Sequence, residues 1–164
     1  MSTDPNAAAL AHRIRTAFAN VPPPEPGALW VPHWSATTQR WQGGLLERVW
    51  GDQWPAIFET GSFLCPPRWE DIPLDTLQTW FSPLEVASPP AFRYWLPRYL
   101  LAAVNDPEHA DASSVSLVIS LRYPGDLDYA RSDDVRARFA TLDDAQRECV
   151  RDVLRYLDTV TGGP

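Results

Sequence analysis

The residues in this sequence that could do chemistry are three histidines, two cysteines and a few groups of acids and arginines. No two of His12, His33 and His109 have the i, i+4 spacing that places two zinc ligands on one helix face. A metal site built from Cys65, Cys149 and one histidine would require three distant segments to converge. We therefore expect the protein to bind no metal and no other cofactor.

The two cysteines are candidates for a nucleophile, but neither belongs to a C-x-x-C motif. A reactive thiol needs a lowered pKa and a base beside it, and Cys65 with His33 is one formal pair of this kind. Cys65, however, precedes Pro66 and does not begin a helix that would lower the pKa of its thiol. We expect Cys65 and Cys149 to be buried and reduced, and we predict no catalytic residue.

The charged side chains favour binding of a basic protein over binding of nucleic acid. The net charge is −7, and all 14 basic residues are arginines. Both halves of the chain carry more acids than arginines, which disfavours nucleic-acid binding through counterion release. A surface of this sign attracts a basic protein partner such as a toxin.

One group of acids is a candidate for that contact, and its members are Asp126, Asp128, Asp133 and Asp134. The group begins D-x-D, but it has Ala130 where a calcium loop needs Asp or Asn, and it lacks the glycine of such a loop. These acids either form a solvated loop or bind a basic partner.

Two further groups are candidate contacts. Trp30, Trp34 and Trp41 lie among small polar residues, so they either pack in the core or stand at the surface as anchors of an interface. Arg93 and Arg98 flank a proline in an apolar stretch. They are either ion-paired residues of the scaffold or contacts for an anion in a pocket beside that proline.

The arginine pair is positioned by the stretch 91–101, AFRYWLPRYLL, which has more apolar surface per residue than any other part of the chain. We predict that this stretch is the central helix of the core and that Ser88 caps its start. Pro97 cannot donate a backbone hydrogen bond and crowds the preceding turn. We therefore expect two short helical pieces joined at Trp95 and Leu96.

Helices are also predicted near both ends of the chain. Asp4 and Pro5 form a typical helix start. The apolar stripe that follows consists of Leu10, Ile14, Phe18 and Val21. Near the other end, Asp143 and Gln146 form a capping box. The apolar stripe of that helix consists of Ala145, Cys149, Val150, Val153, Leu154, Leu157 and Val160.

Several motifs occur in one order along the chain. They are AFRYWLPRYLLAAV at 91–104, F-x-x-L-x-x-x-Q at 139–146, I-x-x-A-F-x-x-V-P-x-P at 14–24 and G-x-x-W at 51–54. With these motifs the chain resembles a family of small bacterial proteins known only as a domain of unknown function. The resemblance implies a mostly helical fold and no catalytic residues. It also implies a helix at 113–121, where alternation alone slightly favours a strand.

The sequence predicts an all-α fold, a single domain of five or six helices with long, irregular, proline-rich connections. Residues 1–26 form an N-terminal helix and connector, 27–69 a tryptophan-rich irregular segment, and 70–164 the helical core. The N-terminal sequence lacks the pattern of a signal peptide, and no window reaches 18 uninterrupted apolar residues. We expect a cytoplasmic protein that does not associate with membranes.

These features predict a non-enzymatic binding protein of a bacterial cytoplasm. The concrete form of this prediction is an immunity-type protein that neutralises a toxin effector, because small acidic proteins can occlude basic active sites. Two other classes stay open. One is a small-molecule-binding protein or enzyme with a tryptophan-lined pocket, and the other is a self-assembling structural protein.

Overall fold

The computed structural model of the protein describes residues 4–25, 65–73, 84, 87–107 and 132–160. Within these ranges it delimits four α-helices and one short 3-10 helix, and it contains no strand. The elements are α1 (Pro5–Ala17), the 3-10 helix η1 (Trp69–Asp71), α2 (Pro89–Asn105), α3 (Ser132–Ala140) and α4 (Asp144–Val160). The predicted all-α class is confirmed, although the described ranges delimit fewer helices than the five or six expected.

Two predictions fall mostly or wholly on residues that the structure does not describe. The segment 113–121, for which both helix and strand were considered, lies outside the described ranges. So does most of the tryptophan-rich segment 27–69, of which only residues 65–69 are described. The proposed division of the chain at residues 26 and 69 stays a prediction.

Helix α1 begins and packs as its sequence predicts. The side chain of Asp4 accepts a hydrogen bond from the backbone N–H of Asn6 at 2.9 Å, and Pro5 occupies the first turn, where its missing N–H costs nothing. Ile14 and Phe18, from the apolar stripe, are fully buried. Burial of this stripe attaches α1 to the rest of the core.

Helix α2 is the centre of the described structure, since it contacts α1, α3, α4 and η1. It runs without interruption through Pro97, so the expectation of two separate helical pieces is wrong. An internal proline costs about 3 kcal/mol. Burial of one large apolar side chain contributes about 1.5 to 3 kcal/mol, and Trp95, Leu96 and Tyr99 are all buried around the proline. Packing on both sides of Pro97 therefore outweighs the lost hydrogen bond.

Helices α1 and α4 lie antiparallel. Three contacts join them, and each contact that lies further along α4 is made to a position nearer the start of α1. These contacts pair Gln146 with Ala17, Asp152 with Arg13, and Tyr156 with Asp4. The two helices thus contact each other along most of their length.

Helix α4 begins with the predicted capping box. The backbone N–H of Gln146 donates to Oδ1 of Asp143 at 2.9 Å, and the backbone N–H of Asp143 donates to Oε1 of Gln146 at 3.3 Å. The buried residues of its stripe are Cys149, Val150, Val153 and Leu157. Two residues assigned to this stripe, Ala145 and Val160, are exposed instead. Val160 is exposed because α1 starts opposite Tyr156, so the last turn of α4 extends past the end of its partner.

In the part of the chain that the structure describes, no helix has both the length and the apolar character needed to cross a membrane.

Candidate functional site

Most of the residues predicted to bind a partner lie outside the described part of the chain. Those residues are Trp30, Trp34, Trp41, Asp126 and Asp128. Asp133 and Asp134 are in the first turn of α3, where the structure describes the backbone but not these side chains. The prediction that this group binds a basic partner therefore stays a prediction.

The structure places Arg93 at the junction between α2 and α4. Its Nε donates to Oε1 of Gln146 at 3.1 Å, and its Nη2 lies 3.6 Å from Oδ2 of Asp143. Both partners belong to the capping box that begins α4. In this position Arg93 links the central helix to the start of the last helix, and its proposed role as an anion contact stays a prediction.

Gln146 connects three elements through one buried side-chain amide, which is 2% exposed. Its Oε1 accepts from Arg93 of α2 and from the backbone of Asp143, and its Nε2 donates to the carbonyl of Ala17 at 3.1 Å. The last carbonyls of a helix have no partner within the helix. The side chain of Gln146 satisfies one of those at the end of α1, 129 residues away in sequence.

The other two residues of the F-x-x-L-x-x-x-Q pattern also serve the core. The ring of Phe139 packs against the ring of Phe92 in α2 with centroids 5.7 Å apart, and Leu142 is buried. The pattern that carries part of the family resemblance therefore consists of residues that pack α2, α3 and α4 together.

Arg138 is a buried cation that sequence reasoning missed. It is 5% exposed, its guanidinium lies 5.9 Å from the centre of the Phe92 ring, and its Nη1 donates to the carbonyl of Leu84. An arginine over an aromatic face is stabilised by the quadrupole of the ring. Nothing in the sequence distinguishes Arg138 from the exposed Arg136 two positions earlier, so only packing identifies it.

Arg98 lies at the other side of α2, against η1. Its Nε donates to the carbonyl of Ile72 at 2.8 Å. Burial lowers the pKa of Arg98, the positive charge of Arg15 lowers it further, and the negative charge of Asp71 opposes both effects. Arg15 and Arg98 therefore lie close enough for their charges to repel each other.

A cavity of about 370 Å³ opens beside these residues, between the end of α1 and η1. Its lining consists of Arg15, Ala19, Val21, Pro67, Arg68, Trp69 and Glu70. Oε2 of Glu70 is paired with Nη2 of Arg68, and Oε1 of Glu70 lies 3.7 Å from Nε of Arg15. The indole N–H of Trp69 donates to the carbonyl of Phe18 at 3.0 Å and fixes one wall of the cavity to the end of α1.

A second, more open groove of about 490 Å³ lies between α1 and α4 at the start of α1. The hydroxyl of Tyr156 donates to Oδ2 of Asp4 at 3.0 Å. Asp152 accepts from Arg13 through one oxygen and from Arg155 through the other, the latter at 3.1 Å. Arg13, Asp152 and Arg155 in this groove are thus ion-paired, and Asp4 accepts hydrogen bonds from neutral donors.

The thiols of the two cysteines have low reactivity. Both cysteines are free, as expected; Cys149 is buried, whereas Cys65 is only half-buried against the edge of the core. Burial raises the pKa of each thiol from 9.0 to about 11. Because the thiolate is the nucleophilic form, both side chains are poor nucleophiles at neutral pH.

Tyr94 lies near Cys65, and its hydroxyl donates to the carbonyl of Pro66. Burial raises the pKa of Tyr94, and the negative charges that Cys65 and Asp71 carry when they are ionised raise it further. The phenol therefore remains protonated and continues to donate this hydrogen bond across the physiological pH range.

His12 is exposed on α1, whereas His33 and His109 lie outside the described residues. Across the described ranges, no three or more His, Cys, Asp or Glu side chains are grouped so that they could hold a metal ion.

A family described as a family of unknown function, DUF6714, has a sequence model that matches residues 57–162. The match spans the stretches 91–104 and 139–146, and it begins after the motifs at 14–24 and 51–54. It therefore contains η1 and the helices α2, α3 and α4 but not α1. No curated protein and no solved structure matches the chain.

Proposed function

We propose that this protein, which belongs to the family of unknown function DUF6714, is a non-enzymatic binding protein of a bacterial cytoplasm. In this proposal the helical scaffold of α1 to α4 carries acidic and tryptophan-rich segments that bind a basic protein partner.

The observation that carries the proposal is the composition of the sequence. The chain has 21 acids against 14 arginines, which gives a net charge of −7. Seven of its 8 tryptophans lie between Trp30 and Trp80, and Asp126, Asp128, Asp133 and Asp134 lie close together in the sequence. Acids and aromatic anchors together are typical of a surface that attracts and holds a basic partner.

The polar chemistry of the scaffold supports a structural role for its charged groups. Arg93, Arg138 and Gln146 each donate to an atom outside their own helix. The thiols of Cys65 and Cys149 are kept protonated by burial. These groups stabilise the arrangement of the helices, which supports a structural rather than a catalytic role for them.

The concrete form of the proposal is an immunity-type protein that neutralises a toxin. Enzymes that act on nucleic acids or other polyanions have basic active sites, and a small acidic protein can occlude such a site. Charge complementarity of this kind raises the association rate and makes it sensitive to salt.

The test is to co-express the chain in a bacterial host with each basic protein encoded beside its gene. A neighbouring product that stops growth alone, and no longer does so with this chain, is the expected result. The purified pair should form a complex whose association rate falls as ionic strength rises. If the chain stays monomeric, binds none of these products and leaves toxin sensitivity unchanged when deleted, the proposal is wrong.

Variants with a matched change of charge locate the binding surface. Replacing Asp126 and Asp128 together by Asn should lower the association rate about tenfold at low salt. Replacing Asp144 by Asn and Glu148 by Gln removes the same charge from the exposed face of α4 and should change the rate little. Equal effects of the two double variants would place the partner elsewhere on the protein.

A second candidate function is small-molecule binding. It is favoured by one observation, the cavity at the end of α1, which has a tryptophan in its wall and two arginines at its edge.

A further inference from the structure

The cavity between α1 and η1 contains more positive than negative charge. Of the residues that line it, Arg15 and Arg68 are cationic and Glu70 is anionic, which leaves a net charge of +1. Beside the cavity, Arg98 adds a positive charge that repels Arg15, and Asp71 adds a negative charge. An anion that enters the cavity therefore meets a lining whose described residues carry more positive than negative charge.

The carboxylate of Glu70 holds the guanidinium groups of Arg15 and Arg68 on the same side of the cavity. One carboxylate oxygen is paired with Arg68, and the other lies 3.7 Å from Nε of Arg15. The side chains of Arg15 and Arg68 are 50% and 68% exposed, so their guanidinium groups retain N–H donors toward solvent. A guanidinium fork matches the two oxygens of a carboxylate, and two such groups held near one acid form a prepared oxyanion site.

Three features of the cavity suit the uncharged part of a ligand. Val21 and Trp69 line the cavity with carbon atoms, while most of each side chain is buried in the core. Because the indole N–H of Trp69 already donates to Phe18, only the carbon atoms of this side chain are available to contact a ligand. The volume of about 370 Å³ is near the lower end of the usual range for small-molecule sites, roughly 300 to 1,000 Å³.

We propose that this cavity binds a small organic monocarboxylate. The carboxylate lies between Arg15 and Arg68, and the apolar body of the ligand packs against Val21 and Trp69. A monoanion matches the net charge of +1, whereas the second negative charge of a phosphate would face Glu70 without a partner. None of these residues is among the side chains proposed to contact a basic protein, which are Trp30, Trp34, Trp41, Asp126, Asp128, Asp133 and Asp134, so each proposal can fail without the other.

The first experiment compares three probes by isothermal titration calorimetry on the full chain. Phenylacetate should bind at least about tenfold more tightly than phenylacetamide, its neutral isostere, because only the carboxylate makes charge-assisted hydrogen bonds. Inorganic phosphate should bind more weakly than phenylacetate. Equal affinity for acid and amide overturns the proposal, and tighter binding of phosphate overturns the choice of a carboxylate.

The second experiment identifies the residues. Arg15→Gln and Arg68→Gln should each weaken phenylacetate binding about tenfold, whereas Arg151→Gln, which removes one exposed charge from α4, should not change it. Glu70→Gln keeps an oxygen acceptor, removes the negative charge and should tighten binding. An unchanged affinity in the variants of Arg15 and Arg68, or a weaker affinity in Glu70→Gln, contradicts the proposed site. All four positions are partly or largely exposed, and equal melting temperatures will confirm that the variants fold.

Discussion

Helix α1 is held at its two ends by different kinds of contact. At its C-terminal end, buried side chains from distant parts of the chain donate to its last carbonyls. Gln146 donates to Ala17, and Trp69 donates to Phe18. Along its exposed side toward the N-terminus, Arg13 forms an ion pair with Asp152, and Asp4 accepts from Tyr156.

The two ends teach that burial, more than formal charge, decides how much a contact stabilises this fold. A buried carbonyl that loses its donor keeps its desolvation cost, about 1 to 3 kcal/mol, because water cannot replace the donor. An exposed ion pair that loses one partner leaves a charge that water solvates, and such pairs contribute only about 0 to 1 kcal/mol. The contacts at the C-terminal end of α1, which involve no ion pair, should therefore contribute more to stability than those toward its N-terminus.

The largest effect is expected for Gln146→Ala. The substitution removes the donor to Ala17 and the acceptor for Arg93, and it leaves several partly buried polar groups unpaired. The free energy of unfolding should fall by about 3 kcal/mol, measured by urea denaturation. Gln146→Glu keeps the acceptor for Arg93 but places a carboxylate oxygen against the carbonyl of Ala17 at a buried position, so it should also destabilise the fold. A loss below about 1 kcal/mol for Gln146→Ala would contradict the central role of this amide.

A smaller effect is expected for Trp69→Phe, at the same end of α1. The substitution keeps an aromatic ring but leaves the carbonyl of Phe18 without its donor, so stability should fall by about 2 kcal/mol. The control is Ile72→Val at a fully buried neighbouring position, which removes one methylene and no hydrogen bond and should cost about 1 kcal/mol. Equal losses in the two variants would show that packing, not the hydrogen bond, matters at Trp69.

Two tyrosines on α2 test the same argument, because removing their hydroxyl groups should change the free energy of unfolding in opposite directions. The Tyr94 hydroxyl donates to Pro66, whereas, among the described residues, the Tyr99 hydroxyl is buried without a hydrogen-bond partner. Tyr94→Phe should lower the unfolding free energy by about 1 kcal/mol, and Tyr99→Phe should raise it by about the same amount. Thermal and urea unfolding of both variants measure the difference. Destabilisation by Tyr99→Phe would indicate that its hydroxyl has a partner in solution.

The smallest effect is expected at the exposed ion pair. A double-mutant cycle with Arg13→Ala and Asp152→Ala should give a coupling energy of about 0.5 kcal/mol or less, and added salt should reduce it further. A coupling energy that exceeds the loss in Gln146→Ala would reverse the ranking of the two ends.

Part of the fold could be predicted because its signals are local. The caps at Asp4 and Ser88 and the capping box of Asp143 with Gln146 depend on groups two or three residues apart, and the structure confirms all three. The apolar stripes depend on helical periodicity, and most of their members are buried. The exceptions, Ala145 and Val160, lie at the two ends of one stripe, where periodicity does not indicate whether a partner helix extends that far.

The candidate site was less predictable than the fold. Arg98 was identified as a possible anion contact from its place beside Pro97, but the cavity itself involves Arg15 and Arg68, which sequence reasoning did not select. The only local sign of that cavity is the run of charges around Trp69, which is also typical of a solvated turn. A cavity between segments about 50 residues apart has no periodic signal in either segment.

The sequence by itself determined where the helices at both ends begin, which of their faces are apolar, and that the stretch 91–101 is the core. These features follow from hydrogen bonds and periodicity within a few residues. Only the tertiary structure decided that α2 continues through Pro97, that Arg138 is buried, and that Gln146 joins three elements. Each of these depends on the energy of packing against residues far away in sequence, which local preferences cannot supply.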